Sequence, residues 1–268
     1  MKKSKEKMVF VFDLDKTIGY FTQVAIFMEG VEDYIGRKLK KKELYKIFDL
    51  YPEIFRPDMM SIFNYLKKIK QKTKTTKVLI YTNNCGPKSW VHDIKNYIEK
   101  KIKYKLFDRT IAAWKVNNKV YEKCRTSYEK KYTDLLKCGN LKKQDKIIFL
   151  DDMVHPCMKN NNVVILHLKG YKHDILFTKM CKTFLKSNIG KLIKKKEHKS
   201  FTSKLIQFSK DDPLGFVYIE SKISSLDGYK KEILGKLKSF VKENKHNISR
   251  KKKKKNSRNK TRKLGGFW

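Results

Sequence analysis

The chain has 268 residues, 40% of them hydrophobic, enough to bury the core of one large domain. Its 65 lysines and arginines against 27 acidic residues give a formal charge of +38, which excludes an acidic, self-solvating chain. Such a charge favours polyanions as partners: nucleic acid, phosphoproteins or anionic membrane surfaces. Of the 65 cations 58 are lysines, point charges better suited to diffuse phosphate attraction than to reading bases. No apolar run approaches the roughly 18 residues of a spanning helix, so the expectation is a soluble intracellular protein with no transmembrane segment.

In chain order, the first element is the apolar run Met8 to Phe12, which reads as a strand buried on both faces. Asp13 and Asp15 follow it directly, where ligands bind in open parallel sheets, outside the carboxyl ends of the strands. Residues 20 to 55 read as a small helical insertion. Pro57 to Ile69 then carries Met59, Met60, Ile62, Phe63, Leu66 and Ile69 at helical spacing. A second strand, Lys77 to Tyr81, ends at Thr82, Asn83 and Asn84, and a helix over Ser89 to Ile102 follows. Val116 to Val120 places two asparagines between β-branched neighbours, the mark of a hairpin. The third strand, Lys146 to Leu150, ends at Asp151 and Asp152, and Asn162 to Leu168 makes a fourth.

Strands alternating with helices define an α/β class with a parallel sheet flanked by helices, here assigned to residues 1–174. Beyond His173 the pattern becomes lysine-rich and amphipathic, with helices over Ile175 to Ile193 and about Gly228 to Lys242. Residues 175–248 thus read as a helical appendage. Residues 249–268 read as a disordered basic tail, because positions 250–263 hold ten cations and no acid. Such a tail serves as a nuclear address or a tether to nucleic acid. Five cysteines with no C-x-x-C spacing argue against a disulfide framework or a zinc knuckle. His155 and Cys157 read as a loop histidine and a small buried thiol, and Trp90 and Trp114 as packing residues.

The strand tips suggest chemistry. Asp13 as a nucleophile toward a phosphomonoester needs a cation such as Mg²⁺ to offset the charge of the phosphoryl group. Asp15 can protonate the leaving alkoxide and later activate water. Thr82 can hydrogen-bond a phosphoryl oxygen, a lysine upstream of the third strand can balance charge, and Asp151 and Asp152 can complete the metal shell.

Asp13-Leu14-Asp15-Lys16-Thr17, Val78-Leu79-Ile80-Tyr81-Thr82, a downstream lysine and Ile147-Ile148-Phe149-Leu150-Asp151-Asp152 resemble the four ordered motifs of the haloacid-dehalogenase superfamily. Arg56-Pro57 ahead of a helix and the short insertion near Trp114 resemble its NLI-interacting-factor-like branch, phosphatases of the RNA polymerase II C-terminal domain. The resemblance spans roughly residues 8–170. It implies a Rossmann-like sheet, a phosphorylated Asp13, Asp15 as general acid/base with its main-chain carbonyl on Mg²⁺, and Thr82 on the phosphoryl group. It further implies Asp152 bound to the metal with Asp151 close behind, and a third-motif lysine, Lys130, with Lys123 and Lys131 as neighbouring alternatives. Lys16 stands where the branch often has Glu, and Asp152 where some members have Asn. The function expected is Mg²⁺-dependent hydrolysis of a phosphoprotein at serine or threonine. A polynucleotide-end phosphatase and a polyanion-binding module with little turnover are the alternatives.

Overall fold

The computed structural model describes residues 6–86, 88–211 and 230–244. Its strands are β1 (Met8–Phe12), β2 (Thr76–Tyr81), β3 (Arg109–Ile111), β4 (Lys115–Val116), β5 (Lys119–Val120), β6 (Lys146–Asp151) and β7 (Val163–His167). Five of them form one sheet in the order β3-β2-β1-β6-β7, with every neighbouring pair parallel. This is the α/β sheet expected. β1 lies at its centre and is buried at all five positions, which is why its sequence is an unbroken apolar run. Register is uniform across the middle: Phe12 sits opposite Ile80 on β2 and Leu150 on β6. The strands read from sequence as 77–81, 146–150 and 162–168 agree with β2, β6 and β7 to within one residue at each end.

The edge strand β3 was not expected. Its three residues carry no period of their own and are extended because they pair with Leu79 to Tyr81. β4 and β5 form the hairpin, and its turn residues Asn117 and Asn118 both adopt positive φ, at 49° and 60°, as a tight hairpin turn requires.

The helices are α1 (Thr22–Ile35), α2 (Lys41–Leu50), α3 (Met59–Lys72), α4 (Lys88–Lys101), α5 (Tyr132–Cys138), α6 (Phe177–Lys186), α7 (His198–Asp211) and α8, residues 230–244. α3 starts at Met59 and not at Pro57, because Asp58 lies in the left-handed region at φ 63°. The single helix expected over Ile175 to Ile193 is two pieces, α6 and a 3₁₀ turn over Ile189–Leu192. The Ser187 hydroxyl donates to the Phe184 carbonyl and ends α6. Gly190 then packs so closely that a Cβ there would lie 2.3 Å from the same carbonyl oxygen. α7 was not anticipated, although Phe201 and Leu205 mark its buried face.

Alternation along β1 sends its side chains to two separate cores. Met8, Phe10 and Phe12 join the larger one, with residues of α1 to α4 and α6 to α8. Val9 and Val11 join the smaller one, with Leu79, Tyr81, Ile111, Ile147, Phe149, Met158 and, from α5, Leu135 and Cys138. The carboxyl-terminal helices are built into the larger core: Phe240 of α8 meets Phe10 edge to face at 5.5 Å, and Phe184 of α6 stacks on Phe201 of α7. The basic tail at 249–268 and the expected start of the last helix at Gly228 lie outside the described residues. Among the described residues no helix is long and apolar enough to cross a membrane.

Candidate active site

The alternation that divides the core also aims the acids. Asp13 follows Val9 and Val11, and Asp151 follows Ile147 and Phe149, so both carboxylates leave the sheet on its thinner face. Because Phe12 lies opposite Leu150, they emerge one rung further on, side by side. The Asp13 N–H donates to the Leu150 carbonyl at 2.9 Å, which continues the ladder to the first acid.

Lys130 reaches them from the loop before α5. Its Nζ lies 2.5 Å from Asp13 Oδ1 and 2.6 Å from Asp151 Oδ2, and only 2% of the residue is exposed. The rings of Tyr81 and Phe149 lie under the same ammonium at 5.8 Å each. Of the three lysines the sequence left open, Lys123 is exposed, and Lys131 Nζ lies 3.4 Å from Thr126 Oγ1.

The two acids divide the charge unequally. Burial raises the Asp13 carboxyl to about 7, against the pull of Lys130 and with the push of the Asp151 charge. Burial acts on Asp151 as well, but the His155 imidazole, Lys130 and the Met153 N–H together hold it below the ordinary carboxylate range. His155 Nε2 lies 3.2 Å from Asp151 Oδ2, so this histidine touches the acid pair without belonging to the carboxylate cluster. Asp152 is raised by burial and by Asp151.

Ligand atoms of Asp13, Asp151 and Asp152 all lie within 4.8 Å of one another. Three hard carboxylate donors this close together form a group that could hold Mg²⁺, which takes oxygen ligands. The Asp15 carboxylate is not in this group. Its Oδ2 accepts a hydrogen bond from the Asn84 side-chain amide at 2.8 Å, and burial raises its pKa despite that bond. Asn84 also donates its backbone N–H to Thr82 Oγ1 at 3.0 Å, so one residue ties the second acid to the hydroxyl at the tip of β2.

The turn after β1 is held from outside. Lys16, at φ 58°, donates its N–H to the Gly19 carbonyl, and the Arg56 guanidinium bonds the carbonyls of Lys16, Thr17 and Lys169. Gly19 is required there: a Cβ would come within 2.4 Å of the Ile54 carbonyl oxygen. Thr17 Oγ1 lies 3.4 Å from Asp152 Oδ1, a long contact that joins this turn to the tip of β6.

Two residues with structural claims on the site have no role assigned from the sequence. Asn84 is marked there only as one of the polar residues that end the second strand. The other is Arg125, buried within the Lys130 loop, where it bonds oxygens of Thr82, Asn83, Ala112 and Tyr128. The cysteine expectation also needs correcting, because Cys124 and Cys138 form a disulfide across this loop and α5. They are 14 residues apart and belong to no motif, and the bond arises because the fold brings α5 back against the loop. Cys157, expected to be buried, is exposed. Trp90 and Trp114 pack, against Phe48 and Tyr128 respectively. No protein-family model and no curated protein matches this chain.

Proposed function

We propose that the chain is a Mg²⁺-dependent phosphomonoester hydrolase of haloacid-dehalogenase type, acting on phosphoserine or phosphothreonine in a protein through an aspartyl phosphate on Asp13. The observation that carries this reading is the buried Lys130 ammonium between Asp13 and Asp151, with Asp152 beside them and Asp15 and Thr82 at the neighbouring tips. A structural ion pair has no need of a second carboxylate on the same lysine and a third beside them; a site that must hold a cation and receive a phosphoryl group does.

Mg²⁺ held by Asp13, Asp151 and Asp152, with the Asp15 main-chain carbonyl, would offset the negative charge that a phosphoryl group brings to a carboxylate. Asp13 forms the new bond to phosphorus as the ester bond breaks, and Asp15 gives its proton to the departing alkoxide. The raised Asp15 carboxyl suits that role, and its other oxygen is free of the Asn84 amide. The Thr82 hydroxyl, accepting from Asn84 N–H, keeps its own hydrogen to donate to a phosphoryl oxygen. Lys130 balances the charge gathered in transfer. Water then attacks phosphorus as Asp15 takes its proton, and Asp13 is released.

Hydrolysis of an aryl phosphate with saturating Mg²⁺ tests the chemistry. The Asp13→Asn variant should lose turnover by at least about a thousandfold, because an amide cannot form the acyl phosphate. A wild-type rate in that variant, purified free of other phosphatases, would sink the assignment. The +38 charge supports a second substrate class, the phosphate at a polynucleotide end. Comparing kcat/KM for phosphopeptides and end-phosphorylated oligonucleotides separates the two. Absence of turnover on either, with retained polyanion binding, would leave the binding module. A nuclear or nucleic-acid-associated location belongs to the same proposal.

A further inference from the structure

We propose that Arg125 is a positioning residue that sets the spacing between Thr82 and Lys130; the inference rests on the phosphatase reading of those two groups. The Arg125 side chain is 3% exposed, and its guanidinium spends its hydrogen bonds on oxygens of three separate segments. Nη1 donates to the carbonyls of Thr82 at 3.0 Å and Ala112 at 2.8 Å. Nη2 donates to Asn83 Oδ1 at 2.7 Å and to the Tyr128 carbonyl at 2.9 Å. These are the tip of β2, the end of β3 and the loop that delivers Lys130.

No regular ladder holds that loop. Residues 121–131 form neither helix nor strand, yet Lys130 at their end must place a flexible four-carbon side chain between two buried carboxylates. The backbone two residues earlier is fixed by the Arg125 bond to Tyr128. At the other end, the Thr82 peptide is held from both sides, because its N–H donates to the Ile111 carbonyl at 3.0 Å while its own carbonyl accepts from Arg125. The Tyr81 ring completes the link, with the guanidinium 4.8 Å from its centroid and the Lys130 ammonium 5.8 Å from it. One planar fork thus fixes both the hydroxyl and the ammonium that a phosphoryl group would meet. A lysine ammonium has the charge but not the geometry to bridge the same four oxygens.

The experiment compares wild-type protein, Arg125→Ala and Arg125→Lys on an aryl phosphate with saturating Mg²⁺, alongside thermal unfolding and crystals of the variants. The expected result is a fall in kcat on the order of a hundredfold in both variants with KM changed less than about threefold, the signature of lost alignment. Added guanidinium ion at concentrations that leave the wild type folded should restore Arg125→Ala by about tenfold or more, and equal ionic strength of KCl should not. In crystals of either variant, Lys130 Nζ should leave hydrogen-bond distance of one of its two acids. Turnover within about threefold of wild type, or Lys130 unmoved, overturns the inference. If Arg125→Ala does not fold, Arg125→Lys carries the same comparison. Wild-type protein without turnover would sink the phosphatase reading itself, and the crystal comparison would still decide whether Arg125 places Lys130.

Discussion

The two faces of the central sheet are built on different principles. Phe10 and Phe12 look into a large aromatic core closed by helices from both halves of the chain, where Phe27, Phe184 and Phe201 pack ring against ring. Val9 and Val11 look toward a thin layer made of α5 and a loop, held by polar ties: the Arg125 fork, the Asp134 carboxylate accepting from Thr126, and the Cys124–Cys138 bond. Asp13, Asp151 and Lys130 all belong to the thin face. The thick face holds the larger share of the apolar core, whereas the thin face buries a smaller cluster and places the charged groups.

Replacing Lys130 with Met gives the sharpest break of this comparison. It leaves Asp13 and Asp151 buried without their counter-charge, so stability in metal-free buffer should fall by about 3–5 kcal/mol and turnover by at least a hundredfold or so. Urea unfolding and an aryl-phosphate assay check both, and unchanged stability would mean the acids are protonated together. On the thick face, Phe184→Ala opens a cavity beside Phe27 and Phe201. It should cost a similar 3–5 kcal/mol, yet leave kcat within about twofold well below the unfolding midpoint. A matching loss of turnover would erase the distinction between the faces.

At the proposed Mg²⁺ site, proton and metal would compete on the thin face. Because the folded metal-free protein raises the Asp13 carboxyl from 3.8 to about 7, its contribution to stability is full below pH 3.8 and is lost as the pH rises through about 7. Mg²⁺ needs the ionised form, so its affinity should climb by about tenfold per pH unit up to about 7 and flatten above. Calorimetric titration across that range would show it, and a flat profile would place the ionised carboxylate at lower pH. The smallest effect belongs to Glu43, on the thick side at the start of α2. It pairs with Arg37, caps the Lys40 N–H and is lowered to about 2. Glu43→Gln should lower the melting midpoint by roughly 2 °C near neutral pH. That difference should be present above pH 4.5 and close as the pH falls through about 2.

Most of the sheet was legible because its central strands are buried on both faces and must therefore be continuous apolar runs, as Met8 to Phe12 and Ile147 to Leu150 are. β3 was illegible because its partner, not its composition, makes it a strand. The stop in α6 depends on the Ser187 hydroxyl finding one carbonyl, which no periodicity encodes. The acids stood out because they sit at strand ends in a fixed order. Lys130 could be placed only to within its neighbours Lys123 and Lys131, since a loop lysine owes its direction to what it meets. Asn84 stood out only as a polar residue at a strand end, with no role attached, and Arg125 gave no warning: a polar residue in a loop looks solvated until the fold closes over it.

The shared register of β1 and β6 acts as a ruler for the acid pair. A slip of a single rung would turn Asp151 to the opposite side of the sheet and carry it about 3.3 Å out of step with Asp13. Insertions or deletions inside these two strands would therefore be felt first as misplaced charge and only second as lost packing.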